Sequence, residues 1–543
     1  MRRLGAARLL PLLPLVPVLL FVLLVVLLPA GFVFGGALAG GGADRLPALF
    51  GDPLNRQALE NSLEQGGASA LLAGALGYPA GIALGRFSFP GRRLLRAFLL
   101  VPFLLPTLVV VVGFEELFGP AGFGPALWPA LAGLGRGLDG ILAVNAYFCA
   151  AMVSLTTAAA IETAPHEQEE AVRTLGGSPY RAFREVWGPP SGLGALAGMT
   201  LTFLLSALGF AAPLVVCGPG CYTLEVRIWS LAEVLGQPQE AGLLALATFL
   251  LLSLPVVGYV YLLRGSRRRR ARRSRSPPPL RLRDPRAWPA IAYLSLFFGA
   301  ILLLLGVVLL RSVTTVSGAP SLAGLRLLFA PATARRLGIS TVAAGANSLF
   351  FASGAAILAL LLAVLAAYGA RSGARGAALP EYLLFLPLLI SPVLLAFGLA
   401  TLWRPLLGGA SGTWVWILLS QAALALPFAA QTLRLALDRL PKGPWEAACL
   451  LGSRPFAAHL DAELPRLGSA VGAAALFAFA FGFGEFTATY FLVLPPFTTW
   501  PVELFDLPEI RLGAAAPALA GLLVLVSLAG FAAIEGGIRR LAR

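Results

Sequence analysis

The sequence predicts an all-α polytopic membrane protein of about 12 transmembrane helices, built as two parallel six-helix repeats. Three observations predict it. Hydrophobic residues fill 58% of the 543 positions and charged residues 12%, with a mean hydropathy of +0.82. Soluble domains carry about 25% charged residues, so most of this surface faces something other than water. The apolar runs are close to the ~20 residues of a membrane-crossing helix and do not alternate as barrel strands do. Finally, the second half of the chain repeats the first.

The spans are expected near 9–34, 66–86, 95–114, 137–161, 194–216 and 241–263, then 289–311, 339–369, 380–403, 412–436, 468–494 and 514–537. The first run is too long for the apolar core of a secretory signal, and similar runs recur to the C-terminus. Arg264 to Arg286 holds Arg269-Arg270-Ala271-Arg272-Arg273 and Pro277-Pro278-Pro279 without a hydrophobic face, which predicts a solvated linker. The chain therefore divides into a first six-span domain (1–263), a linker (264–286) and a second six-span domain (287–543).

Arginine density places the linker in the cytoplasm. Six spans on either side place the N-terminus (Arg2, Arg3, Arg8) and the tail (Arg539, Arg540, Arg543) there too, as is the turn carrying Arg92 and Arg93. Arg311, Arg326, Arg335 and Arg336 run against this bias, in a fairly long loop outside. The net charge of +15 sits at these membrane flanks. It reads as topology and headgroup contact rather than nucleic-acid binding.

A shift of 276 residues carries Glu170-Ala171 onto Glu446-Ala447, Gly176 onto Gly452, Pro179 onto Pro455, Ala182 onto Ala458 and Pro189 onto Pro465. The same register sets Phe210 on Phe486, Thr223 on Thr499 and Val226 on Val502; a shift of 285 sets Pro102 and Gly113 on Pro387 and Gly398. An even number of spans per half makes the repeats parallel, related by a pseudo-two-fold along the membrane normal. Segments 218–229 and 495–505, too polar for a span, are expected at the outer mouth.

Each matched segment reads as helix, turn, helix between spans four and five. Glu167 to Leu175 are helix formers with carboxylates in the first turn. Gly176 then supplies a left-handed position, and Ser178 an N-cap before Pro179. The second helix is expected to run to Trp187 and stop at Pro189-Pro190. Half two repeats the device with Glu446, Gly452, Ser453, Pro455 and Pro465. Glu170 and Glu446 are expected to anchor the first helix of each segment.

These residues resemble the cytoplasmic coupling motif of type I ABC importer permeases: Glu-Ala-Ala, three residues, Gly, nine residues, a hydrophobic residue, one residue, Leu-Pro. Half two reads Glu446-Ala447-Ala448, Gly452, Ala462, Leu464-Pro465; half one reads Glu170-Ala171-Val172, Gly176, Val186, Gly188-Pro189. Val172, Gly188 and Ala462 depart from the pattern, as a less tightly docked helix would allow. The resemblance implies a bacterial inner-membrane permease whose coupling helices each sit on one of two copies of a separate ATP-binding subunit. It also implies an extracytoplasmic substrate-binding protein. The fused layout, with Tyr222-Thr223-Leu224-Glu225-Val226, Gly484-Glu485-Phe486 and Thr498 to Glu503, resembles permeases for ferric iron first and thiamine second.

No catalytic residue, metal site or cofactor is expected. The only lysine, Lys442, lies in a Leu-Pro-Lys-Gly-Pro turn rather than a phosphate-binding loop, so ATP hydrolysis falls to a partner. Glu485, inside the eleventh span, is the candidate pathway residue, favouring a cationic cargo; the competing reading is a hydrogen-bonded carboxylate at a broken helix flanked by Gly482 and Gly484. Glu115 and Glu116 read as a solvated helix end first and as entrance electrostatics second, and His166 and His459 as solvated positions rather than ligands. Cys149 reads as packing, and Cys217 and Cys221 as either a small outer disulfide or a bland pair. A secondary transporter would explain span number and symmetry but not the duplicated segment.

Overall fold

A backbone in lipid must satisfy its own hydrogen bonds, and helices do so locally. The computed structural model describes residues 15–541 apart from 120–121, 130–133, 163, 165, 219–220, 269–286, 316–317, 372–385, 406–411, 439 and 442. No β-strand forms among them; an isolated bridge joins Thr314 to Pro320. The Arg269–Arg273 cluster, the proline run and Lys442 lie outside the described residues.

The spans of half one are α1 (Val16–Leu38), α2 (Pro53–Arg86), α3 (Thr107–Phe118), α4 (Gly137–Ile161), α5 (Gly188–Ala207) and α6 (Pro238–Arg268). Those of half two are α7 (Trp288–Ser312), α8 (Thr341–Arg371), α9 (Pro392–Leu402), α10 (Thr413–Leu437), α11 (Gly468–Gly484) and α12 (Ala516–Leu541). Among the described residues eleven are long and apolar enough to cross a membrane, α3 with the residues that follow it and α5 and α11 with those that precede them; α9 is the shorter twelfth. At 1.5 Å per residue, α4 is about 37 Å long, enough for a ~30 Å hydrocarbon core.

Five spans depart from the expected boundaries. α2 begins at Pro53, not 66, because Asp52 caps it (Leu54 N–H to Oδ1, 2.8 Å) and a polar first stretch is helical without being apolar. α5 and α11 end early, at Ala207 and Gly484, and the chain breaks at equivalent points before resuming at Pro213–Cys217 and Thr487–Leu492. The third helices break at Pro106 and Pro392, residues that lack the N–H a continuous helix needs.

α2, α4 and α5 pack on one another in half one, as α8, α10 and α11 do in half two. Each first helix crosses to the other half. α1 packs on α6 and on α9, and α7 packs on α12 and on α3. The glycines matched in sequence sit at these crossings. A Cβ on Gly113 would lie 2.8 Å from Val308 of α7, and one on Gly398 would lie 2.8 Å from the Pro29 backbone of α1. Arg311 of α7 also binds Glu116 of α3 at 2.8 Å and lies over the Phe123 ring at 4.2 Å. Glu116 is thus an ion-paired seam residue rather than a solvated helix end.

On the face opposite the duplicated segments, short helices Leu224–Trp229 and Trp500–Glu509 are held by one device used twice. Asn61 donates to the Tyr222 carbonyl (2.8 Å) and Ser62 Oγ accepts from Leu224 N–H (2.8 Å). Asn347 donates to the Thr498 carbonyl (2.9 Å) and Ser348 Oγ accepts from Trp500 N–H (2.8 Å).

Candidate coupling segments and seam cavity

The two helix–turn–helix segments share one backbone solution. His166–Thr174 ends at Gly176 (φ 79°), where Gly177 N–H donates to Val172 O at 2.8 Å. Gly443–Leu450 ends at Gly452 (φ 95°), where Ser453 N–H donates to Ala448 O at 3.0 Å. Both are left-handed helix terminators that glycine favours. Ser178 Oγ accepts from Arg181 N–H at 3.3 Å ahead of Pro179; its counterpart before Pro455 is Arg454, which makes no side-chain cap.

The second helices do not stop at their prolines. Pro179–Ala182 widens into a five-residue π turn, Phe183–Trp187, and continues as α5 with Pro189 in its first turn. Pro455–Ala458 does the same through His459–Glu463, then Leu464–Leu467, into α11. A proline in a first turn forfeits no needed hydrogen bond, and the wider turn leaves room for the ring. Each turn is therefore continuous with a membrane span.

The anchors differ from expectation. In half one the seated carboxylate is Glu169, not Glu170, whose residue is exposed. Glu169 binds both terminal nitrogens of Arg86 at the end of α2, and Arg173 at 2.9 Å. Arg86 lies over the Trp187 ring at 5.0 Å. Arg92 (2.6 Å) and Arg96 hold Glu162 beside it. In half two the residue types are exchanged: Trp445 stands where half one has Glu169, and Glu463 where it has Trp187. Trp445 Nε1 donates to Pro455 O (3.1 Å), and Glu463 pairs with His459 Nδ1 at 2.7 Å against Tyr368. His459 is fully buried, correcting the solvated reading. The tips stay exposed: Leu175 is 86% accessible, and Leu450 and Leu451 are each 88%.

Where α5 and α11 break, the halves meet. Phe210 and Phe486, matched by the repeat, stack on each other at 6.2 Å, as equivalent residues do beside a two-fold axis. Trp229, Tyr490 and Phe505 close around them at 4.9 to 6.0 Å. Next to this aromatic cluster is a cavity of about 230 Å³ lined from both halves, by Asn145, Phe148 and Phe210 and by Phe481, Glu485 and Phe486 among others. Glu485 accepts from Ala488 N–H (2.7 Å), Thr489 N–H (2.8 Å) and Thr489 Oγ1 (2.6 Å). Glu485 is therefore the hydrogen-bonded carboxylate of a broken helix, and it also lines the seam cavity.

Toward the far face, burial and neighbouring Glu509 push the Asp506 carboxyl up to about 6. Cys217 and Cys221 form a disulfide there, Cα atoms 5.4 Å apart. Among the described residues no group of three or more His, Cys, Asp or Glu side chains is placed to hold a metal.

Residues 77–270 match the model of a family described as the binding-protein-dependent transport system inner membrane component. A probable molybdenum ABC transporter permease of Haloferax volcanii is 33% identical over 174 residues, covering 32% of this chain and 62% of that protein. A thiamine transport system permease of Salmonella typhimurium is 32% identical over 170 residues, 30% of this chain and 32% of that protein. A spermidine/putrescine permease of Escherichia coli is 29% identical over 202 residues, 37% and 71% respectively. The chain spans less than two thirds of the first two of these relatives.

Proposed function

We propose that this chain, a multi-pass permease of the type I ABC importer family, forms the translocation pathway at the seam of its halves and is driven by a separate ATPase. The observation that carries the proposal is the pair of solvent-exposed turns with one backbone geometry on one face, each tipped by a bare leucine and each continuous with a helix ending at the cavity. Two copies of an ATP-binding subunit would each take one segment, with Gly176, Ala171, Pro179 and Pro189, and Gly452, Ala447, Pro455 and Pro465, shaping the contact. That face, with the N-terminus, the 264–286 linker and the tail, is then cytoplasmic. The Leu224–Trp229 and Trp500–Glu509 helices meet a substrate-binding protein outside. Residues 1–263 and 287–543 act as the two permease domains.

Closure of the ATPase pair would move the two turns together. Each turn passes that motion along its helix, about 30 Å for the 20 residues of α5, to the point where the aromatic cluster meets the cavity. For the cargo, Glu485 supports a positive sign, which ferric iron, the first choice from the resemblance, and thiamine, the second, both satisfy.

Replacing Leu175 and Leu451 by Asp tests the docking. Each leucine withdrawn from a protein contact forfeits roughly 1.5–3 kcal/mol. The double variant should insert normally yet lose co-purification with the ATPase. Retained co-purification and uptake would refute it.

A further inference from the structure

The chemistry of the seam cavity narrows the cargo further, an inference resting on the pathway reading above. Four phenylalanines line it, Phe148 and Phe210 from half one and Phe481 and Phe486 from half two. Glu485 is the one carboxylate on its wall, and neither Arg nor Lys is among its lining residues. We propose that the cavity passes a small organic cation rather than an oxyanion or a metal ion.

Sign, shape and softness each contribute. An oxyanion would face a carboxylate across a low-dielectric space with no lining cation to offset the repulsion. A hard, multiply charged metal ion calls for several oxygen ligands. An ionised carboxylate has about four acceptor positions, and donors from Thr487, Ala488 and Thr489 already surround Glu485, leaving it a counter-charge rather than a metal ligand. An organic ammonium or azolium ion needs just such a single counter-charge. Its charge is spread over weakly hydrated atoms, so phenyl faces can replace water around it. The volume fits as well. About 230 Å³ is several times the ~30 Å³ that one water occupies in the liquid, room for a molecule rather than a bare ion. Asn145, Thr107 and Thr487 add neutral polar groups to orient it.

The test is equilibrium retention of radiolabelled probes by the full permease–ATPase complex in lipid nanodiscs, read by scintillation proximity without a binding protein. Thiamine and spermidine should bind saturably, while sulfate, molybdate and ferric citrate should not. Glu485→Gln should weaken organic-cation binding at least tenfold. Phe148→Leu and Phe481→Leu, which keep Glu485 and its donors, should each weaken it several-fold. Saturable binding of sulfate, molybdate or ferric iron in place of organic cations would overturn the proposal. So would failure of both organic cations to bind, or their unchanged binding in all three variants. ATPase activity of the same complex is measured in parallel: a coupled complex with the wrong probe preference sinks the cargo class alone, whereas no assembled complex sinks the permease reading.

Discussion

A Cβ at Gly452 would meet nothing within 4 Å, so Gly452→Ala carries only the backbone cost of a left-handed L-residue, roughly 1–2 kcal/mol. Gly176 is equally open, but its φ of 79° is nearer the left-handed minimum than the 95° of Gly452. Gly452→Ala should therefore impair stimulated ATP hydrolysis more than Gly176→Ala, with little change in the amount of membrane-inserted protein; equal effects in hydrolysis assays would contradict the ordering. Glu169 presents a sharper contrast with its neighbour. Its removal leaves Arg86 buried without its main partner, and breaking a buried pair typically costs 3–5 kcal/mol. Glu169→Ala should lower the melting temperature in detergent markedly, and Glu170→Ala far less. Asp506 should give the mouth a pH dependence. It is protonated below about 6 and charged above, so cation uptake should rise from pH 5 to 7 and the rise should flatten in Asp506→Asn.

At the scale of elements, the glycine turns and proline starts were legible because they follow from backbone chemistry alone. The anchors were not, since the exchange of Glu169 and Trp187 for Trp445 and Glu463 has meaning only once Arg86 and His459 are placed. Asn61-Ser62-Leu63 and Asn347-Ser348-Leu349 repeat at a shift of 286, a signal present in the sequence but hidden in a register ten residues from that of the coupling segments. Asn61→Ala with Asn347→Ala should loosen both mouth helices. Faster hydrogen exchange over 222–229 and 498–505 would show it, and unchanged exchange would contradict the clamp. Polar starts such as that of α2 are invisible to hydropathy, which reports burial in lipid rather than helix formation.

At the scale of the molecule, the repeat predicted equivalence between halves but not the exchange of first helices, because a shift pairs residues with their copies and says nothing of what each copy touches. Gly113 and Gly398 were visible as a matched pair; that each admits the other half's first helix emerges only from packing. The same holds for Phe210 and Phe486, which match in sequence and meet at the seam. On the proposed function, the two turns deliver the work of a separate ATPase to that seam. Photo-crosslinking tests it most directly, with a photo-reactive phenylalanine analogue replacing Leu175 or Leu451 in actively transporting proteoliposomes. A cross-link should form from each position to a copy of the ATPase, with a yield that changes between nucleotide-free and ATP-bound states. Full transport with no cross-link from either position would contradict it.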